Sequence, residues 1–218
     1  MGQKVNPHTF RLGTIFNWAS NWYADGKSYH QFLLEDLKLR KFLLEKLKLA
    51  GITEVKIDRS INTLKITLFV SRPGVVIGRG GSGLEELKTQ IAKKIKFDKQ
   101  TKKAPKFELQ VIEVKNPDLS ARLIGLRLAE QLLKRYPHRR AAAQVLEKTM
   151  SAGAKGVKLL FSGRIGGAEI ARREKFIAGS IPLSTIRSNI DYFQQPAFTK
   201  YGYVGIKVWV YKGEETVK

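Results

Sequence analysis

The sequence predicts an α+β protein of two small domains, each a sheet with helices packed on it. Three observations carry the prediction. Apolar spacing switches between helical and strand period along the chain, Asn116-Pro117-Asp118 interrupts it near the middle, and a glycine-rich turn follows strand patterning in each half. With 218 residues, 43% of them hydrophobic, the chain can bury one moderate core or two small ones.

Residues 1–27 read as an N-terminal arm. Turn formers recur in it (Asn6-Pro7, Gly13, Asn17, Asn21, Asp25-Gly26) around the aromatic group Trp18, Trp22 and Tyr23. Those rings either pin the arm to a core or stack on bases. From Ser28 to Leu49 apolar residues recur at helical spacing (Phe32, Leu33, Leu37, Leu44, Leu47), and Gly51 stops the helix. Two strands follow, in which Val55 and Ile57, then Leu64, Ile66, Leu68 and Val70, alternate with mostly polar neighbours. Pro73-Gly74 reads as a turn. Ser82 then opens a helix with apolar residues at 84, 87, 91 and 95. Beyond a stretch from Lys93 to Lys106 with seven lysines and one acid, a third strand surrounds Phe107, Leu109 and Val111.

The loop before Ser82 carries the chemistry. In Gly78-Arg79-Gly80-Gly81, glycines at both ends of a Gly-x-x-Gly motif bare the backbone N–H groups beside the positive end of a helix dipole. Ser82 and Glu85 stand at capping-box spacing. Gly-x-x-Gly between a strand pair and a helix is the clamp a KH module closes on a nucleic-acid backbone, and the order helix, strand, strand, loop, helix, strand is the type II KH topology. Gly78, Gly80 and Gly83 also satisfy the dinucleotide fingerprint, which makes a nucleotide-using enzyme the rival reading. That fingerprint needs a strand running straight into the loop and a carboxylate on the ribose. The Pro73-Gly74 break and the lysines around Asp98 argue against both.

In the second half, Asp118 is placed to cap a helix over 119–135 (Leu119, Leu123, Leu126, Ala129, Leu133). Tyr136-Pro137 separates it from a helix over 139–152, which ends at Gly153. A strand at Val157, Leu159 and Phe161 leads to Gly163-Arg164-Ile165-Gly166-Gly167. This second glycine turn enters a short helical segment with Arg172-Arg173 and either docks a phosphate backbone or simply joins strand to helix. Residues 186–192 and 204–210 read as paired strands, so both halves are expected to hold an antiparallel sheet.

Charge narrows the function. Forty Lys and Arg face nineteen Asp and Glu, a net charge of +21. Self-repulsion on that scale disfavours a compact isolated domain, so a polyanionic partner, RNA above all, is expected. Cysteine is absent and the three histidines are scattered, which leaves no thiolate and no metal cluster; no metal, cofactor or catalytic site is expected. Glu169 and Asp191 lack a histidine base and read as capping or arginine-pairing groups. No apolar run reaches the roughly 20 residues of a bilayer span, and the N-terminus lacks a secretory core, so no membrane partner is expected.

Long stretches match a known family. Ala154-Lys155-Gly156-Val157-Lys158-Leu159-Leu160-Phe161-Ser162-Gly163-Arg164-Ile165-Gly166-Gly167-Ala168-Glu169-Ile170-Ala171-Arg172, the opening Met1-Gly2-Gln3-Lys4-Val5-Asn6-Pro7, Arg11-Leu12-Gly13, and Tyr201-Gly202 through Lys207-Val208-Trp209 closely resemble the bacterial-type small ribosomal subunit protein three family. The resemblance runs to about Gly213. It implies a type II KH domain over 28–116, a family-specific α+β domain over 117–213 with a mostly antiparallel sheet, and a tail at 214–218. It further implies a structural role in the head of the small subunit, bound to ribosomal RNA beside small-subunit proteins ten and fourteen, in cytoplasmic or organelle ribosomes. Gly78, Arg79, Gly80 and Gly81 form the RNA-binding loop. Lys4, Arg11, Arg164, Arg172 and Arg173 stand as further RNA contacts. Arg139 and Arg140 match family arginines that touch incoming messenger RNA and help unwind it; the lysine one turn on is here Ala143.

Overall fold

The computed structural model describes residues 4–60, 63–94 and 106–215, arranged as two compact units. One comprises Trp18–Lys115; the other joins Met1–Asn17 to Asn116–Lys218. The expected arm is therefore divided. Its first residues, including the one-turn helix α1 (Pro7–Phe10), pack with the C-terminal unit, whereas β1 (Ser20–Asn21) adds an edge to the sheet of the first unit.

That first unit continues with α2 (Gly26–Lys46), β2 (Ile52–Arg59), β3 (Thr63–Val70), α3 (Pro73–Ile77), α4 (Ser82–Lys94) and β4 (Lys106–Glu113). The sheet order is β1-β2-β3-β4. Only β2 and β3 run antiparallel; β1–β2 and β3–β4 are parallel. The expectation of an antiparallel sheet fails here because α3 and α4 form a crossover between β3 and β4, and a crossover returns the chain in the same direction. Pro73-Gly74 is not a turn either. Proline at the first position of α3 lacks an N–H that the helix would leave unpaired anyway.

The buried face of α2 departs from the expected stripe. Leu39, Leu43 and Leu47 reach the core with Ile57, Ile66, Leu68, Leu87 and Ile91, while Leu33 and Leu37 are exposed. In their place the middle of α2 turns polar groups inward. Asp36 accepts from Trp22 Nε1 at 2.8 Å and pairs with Arg59, and Arg40 donates to the carbonyls of Val55 and Ala19. Burial of these charges is supported because each finds a partner of opposite sign or a carbonyl.

The second unit follows α1 with α5 (Ala121–Leu133), α6 (His138–Ser151), β5 (Gly156–Gly163), β6 (Arg172–Gly179), β7 (Ser188–Thr199) and β8 (Gly202–Glu214). Its sheet has the order β6-β5-β8-β7 and is antiparallel throughout. Ile124, Leu128 and Val145 of the helices cover Val157, Leu159, Phe161, Ile206 and Val208 on one face. On the opposite face, Ile190, Trp209 and Tyr211 gather Leu160, Ile181, Leu183 and Tyr192 into a smaller cluster at one end. Asp118 does not cap α5. It pairs with Arg127 at 2.8 Å, and Asp191 Oδ2, reaching from β7, accepts the Ala121 N–H at 2.9 Å. The expected short helix at Arg172-Arg173 is instead the start of edge strand β6, where charged side chains suit an exposed edge.

Candidate nucleic-acid interface

The glycine loop joins α3 to α4 through a 3-10 turn over Arg79–Gly81. Three of its glycines have left-handed backbone: Gly78 (φ 70°), Gly80 (62°) and Gly81 (84°). A fourth, Gly83, locks the two helices together. A Cβ there would lie 2.7 Å from the Val76 carbonyl oxygen, and one on Gly78 would lie 3.0 Å from the Gly83 nitrogen. Side chains at either position would drive apart the end of α3 and the start of α4. The close approach leaves the stretch from Gly78 to Gly80 exposed at the N-terminus of α4, with the Arg79 guanidinium free of any ion pair among the described residues. Ser82 and Glu85 do not form the capping box; Ser82 Oγ donates back to the Arg79 carbonyl at 3.0 Å and closes the turn. Such a site offers N–H donors, a dipole and a cation to phosphate.

In the second unit, two arginines and a histidine converge on one carboxylate. Glu174 of β6 takes His138 Nε2 at 2.8 Å and Arg139 Nε at 3.4 Å on one oxygen, and Arg172 Nε at 3.0 Å on the other. The His138 hydrogen bond, with the Arg139 contacts behind it, holds the Glu174 carboxyl below its ordinary pKa against the opposing effect of burial. His138 and Arg139 occupy the first turn of α6; there the Arg139 guanidinium opposes the helix dipole, and Glu174 offsets that cost. Arg140 shares the turn, is exposed, and has no ion pair among the described residues; Ala143 is exposed one turn further on.

The remaining predicted contacts separate. Arg164 is exposed, donates from Nε to the Ala168 carbonyl at 2.8 Å and lies 5.9 Å from the Tyr201 ring centre. Gly167 admits that ring, since a Cβ would meet Tyr201 Cε2 at 2.9 Å. Arg173 is exposed and forms no ion pair among the described residues, and Lys4 is exposed. Arg11 is not available to RNA. It is fully buried, and its guanidinium donates to the carbonyls of Pro7 (3.0 Å), Pro182 (3.3 Å), Leu183 (3.0 Å) and Thr185 (2.8 Å). An arginine beside a turn carries no sequence mark that distinguishes this staple from a surface contact. Among the aromatic residues, Trp22 is pinned against Tyr29 and Phe32, whereas Trp18 and Tyr23 stay exposed. Glu174 escaped the sequence reading because two of its partners, His138 and Arg139, lie 36 and 35 residues away on another element. Glu169 is exposed and forms no ion pair among the described residues, and Asp98 lies outside them.

No group of three His, Cys, Asp or Glu among the described residues could hold a metal, and no helix among them is long and apolar enough to cross a membrane. The first unit is that of a KH-type nucleic-acid-binding protein, and the KH domain family model matches residues 38–119. The model for the ribosomal protein S3 C-terminal domain matches residues 128–210. Proteins named small ribosomal subunit protein uS3 align over nearly the whole chain. That of Clostridium novyi is 45% identical over 98% of this chain and 94% of its own length, that of Clostridium kluyveri 47% over 98% and 93%, and that of Persephonella marina 47% over 99% and 92%. The chain belongs to the ribosomal protein S3 family. It is a structural, RNA-binding constituent of the small ribosomal subunit and not an enzyme.

Proposed function

We propose that this protein sits in the head of the small subunit, holds ribosomal RNA through the loop of its 28–116 domain, and guides messenger RNA into the ribosome with Arg139 and Arg140 of its 117–213 domain. Small-subunit proteins ten and fourteen are its neighbours there, and the ribosome is cytoplasmic. The observation that carries the messenger-RNA role is the cation excess at the start of α6. One carboxylate, Glu174, serves His138, Arg139 and Arg172, and Arg140 is left exposed with no ion pair among the described residues. Unbalanced arginines at the positive end of a helix suit a passing polyanion.

Subunits carrying Arg139→Ala with Arg140→Ala should assemble normally and translate unstructured messages at the usual rate, yet slow at a stable message hairpin. Normal passage through hairpins would overturn the role. For the loop, Arg79→Asp with Gly80→Asp places two carboxylates where phosphate would bind. A Cβ on Gly80 meets nothing within 4 Å, and aspartate tolerates left-handed backbone better than most residues. The full-length variant should stay folded, losing no more than the about 1 kcal/mol of a left-handed side chain at Gly80, and bind RNA more weakly; unchanged RNA affinity would show that the loop is no clamp.

A further inference from the structure

The second sheet has one face under its helices and one face that is only half covered. Residues on the second face follow from the pairing register. Lys158, Leu160 and Ser162 of β5 stand opposite Ile177, Lys175 and Arg173 of β6, and opposite Trp209, Lys207 and Gly205 of β8. The β7 partners of β8 on the same face are Tyr192, Gln194, Pro196 and Phe198, the last opposite Tyr203. One end of this face is closed by the cluster around Trp209 and Tyr211. The other end is open: Phe198 is 64% and Tyr203 67% exposed, their ring centres 4.9 Å apart. Arg173, Lys175 and Gln194 are exposed further along the same face, and Gly205 contributes no side chain between Tyr203 and Lys207. None of the face residues named is a carboxylate.

We propose that this open half-face is a binding platform for single-stranded RNA, with Phe198 and Tyr203 stacking against a base over the flat strip at Gly205 and Arg173, Lys175 and Lys207 holding the adjacent phosphates. The inference rests on the RNA-binding role given above but names a surface distinct from the glycine loop and from the start of α6. Exposed aromatic rings paired across adjacent strands of an open sheet face, here edge strand β7 and its neighbour β8, with cations on the same face, are what unpaired bases stack on. A protein partner would gain little from the rings while burying three cations unpaired, because no acid of this face balances them. Lys158 reports the same imbalance. Burial first, and then the fields of Lys4 and Lys175, lower its ammonium pKa from the ordinary lysine value, although the Trp209 ring lies 5.0 Å from the nitrogen. Lys4, predicted as an RNA contact, thus adds its charge to this face.

The test uses full-length protein and a short single-stranded RNA containing 4-thiouridine. Phe198→Ala with Tyr203→Ala should weaken binding roughly tenfold or more, the scale of one lost base stack, while Tyr203→Phe stays within about twofold of the parent. Lys175→Gln with Lys207→Gln should lower the log–log salt slope by about 1.4, the equivalent of two phosphates. Photocrosslinks should map to peptides containing Tyr203 or Phe198. Equal thermal unfolding of all variants checks that the exposed substitutions leave the fold intact. Unchanged affinity in the double-alanine variant, or crosslinks confined to the glycine loop, overturns the platform while leaving the loop's role standing. The reverse pattern, loss at the face with none in Arg79→Asp/Gly80→Asp, keeps the platform and removes the loop. Crosslinking of this face to a neighbouring protein instead of RNA in intact subunits also overturns it.

Discussion

Replacing Arg11 by alanine separates a structural role from an RNA contact. The side chain is fully buried, and the lost guanidinium would strand the carbonyls of Pro7, Pro182, Leu183 and Thr185, which it now holds at 2.8–3.3 Å. A hydrogen bond to a charged group is worth about 1.5–3 kcal/mol, but four on one group do not add and water will reach some of the vacated acceptors. A loss of about 3–5 kcal/mol is expected, or roughly 10–20 °C in the transition of a unit this size. The Nε atom has no hydrogen-bond partner among the described residues, so part of the arginine's own desolvation is recovered on its removal, which favours the lower end. Calorimetry of the full chain gives the transition, and hydrogen exchange across β7 and β8 assigns it to the second unit. Arg11→Lys should recover less than half the loss, since one ammonium cannot span four carbonyls. If Arg11→Ala unfolds within about 1 kcal/mol of the parent and instead lowers the salt slope of RNA binding by about 0.7, one phosphate's share, then Arg11 is an RNA contact and the staple argument fails.

Other perturbations follow from the same geometry. Gly83→Ala forces a Cβ to 2.7 Å from the Val76 carbonyl and should cost about 2 kcal/mol or more, with RNA binding lost alongside; at Gly80 an alanine has open space and costs only its left-handed backbone, about 1 kcal/mol, as thermal unfolding of both will tell. Because the folded-state pKa of Glu174 is lowered, its ion pairs stabilise fully above the ordinary carboxylate pKa and are lost as pH falls through the lowered value. Urea unfolding of the parent and Glu174→Gln from neutral to acid pH should therefore converge at the acid end; a gap independent of pH would contradict the assignment. Ala143→Lys restores a cation one turn beyond Arg139 and Arg140 and should speed passage through a message hairpin, measured on subunits reconstituted with the variant. Overall RNA binding should have a log–log salt slope near −4 if about six phosphates are neutralised, and a flat dependence would remove the electrostatic account.

Periodicity and composition determined what depends on neighbours in the chain. The strand pair, the helix after the glycine loop, the break at Asn116-Pro117 and the polyanion partner implied by +21 are all local or additive properties, whereas the short helix before the loop was hidden by Pro73-Gly74. The loop was legible for the same reason: Gly78 to Gly83 are contiguous, and their need for left-handed backbone and close approach is met within the eight residues from Val76 to Gly83. Only the tertiary structure decided where side chains with two possible destinations go. Leu33 and Leu37 fit a helical stripe as well as Leu39 and Leu43 do, and burial of Asp36 against Arg59 and Trp22 determines which side of α2 faces in. Arg11 and Arg173 are alike as residues; one is closed in by four carbonyls more than 170 positions away or one turn back, and the other stands open on an edge strand. A charge's role depends on its desolvation and its partners, and both are set by packing between segments distant in sequence.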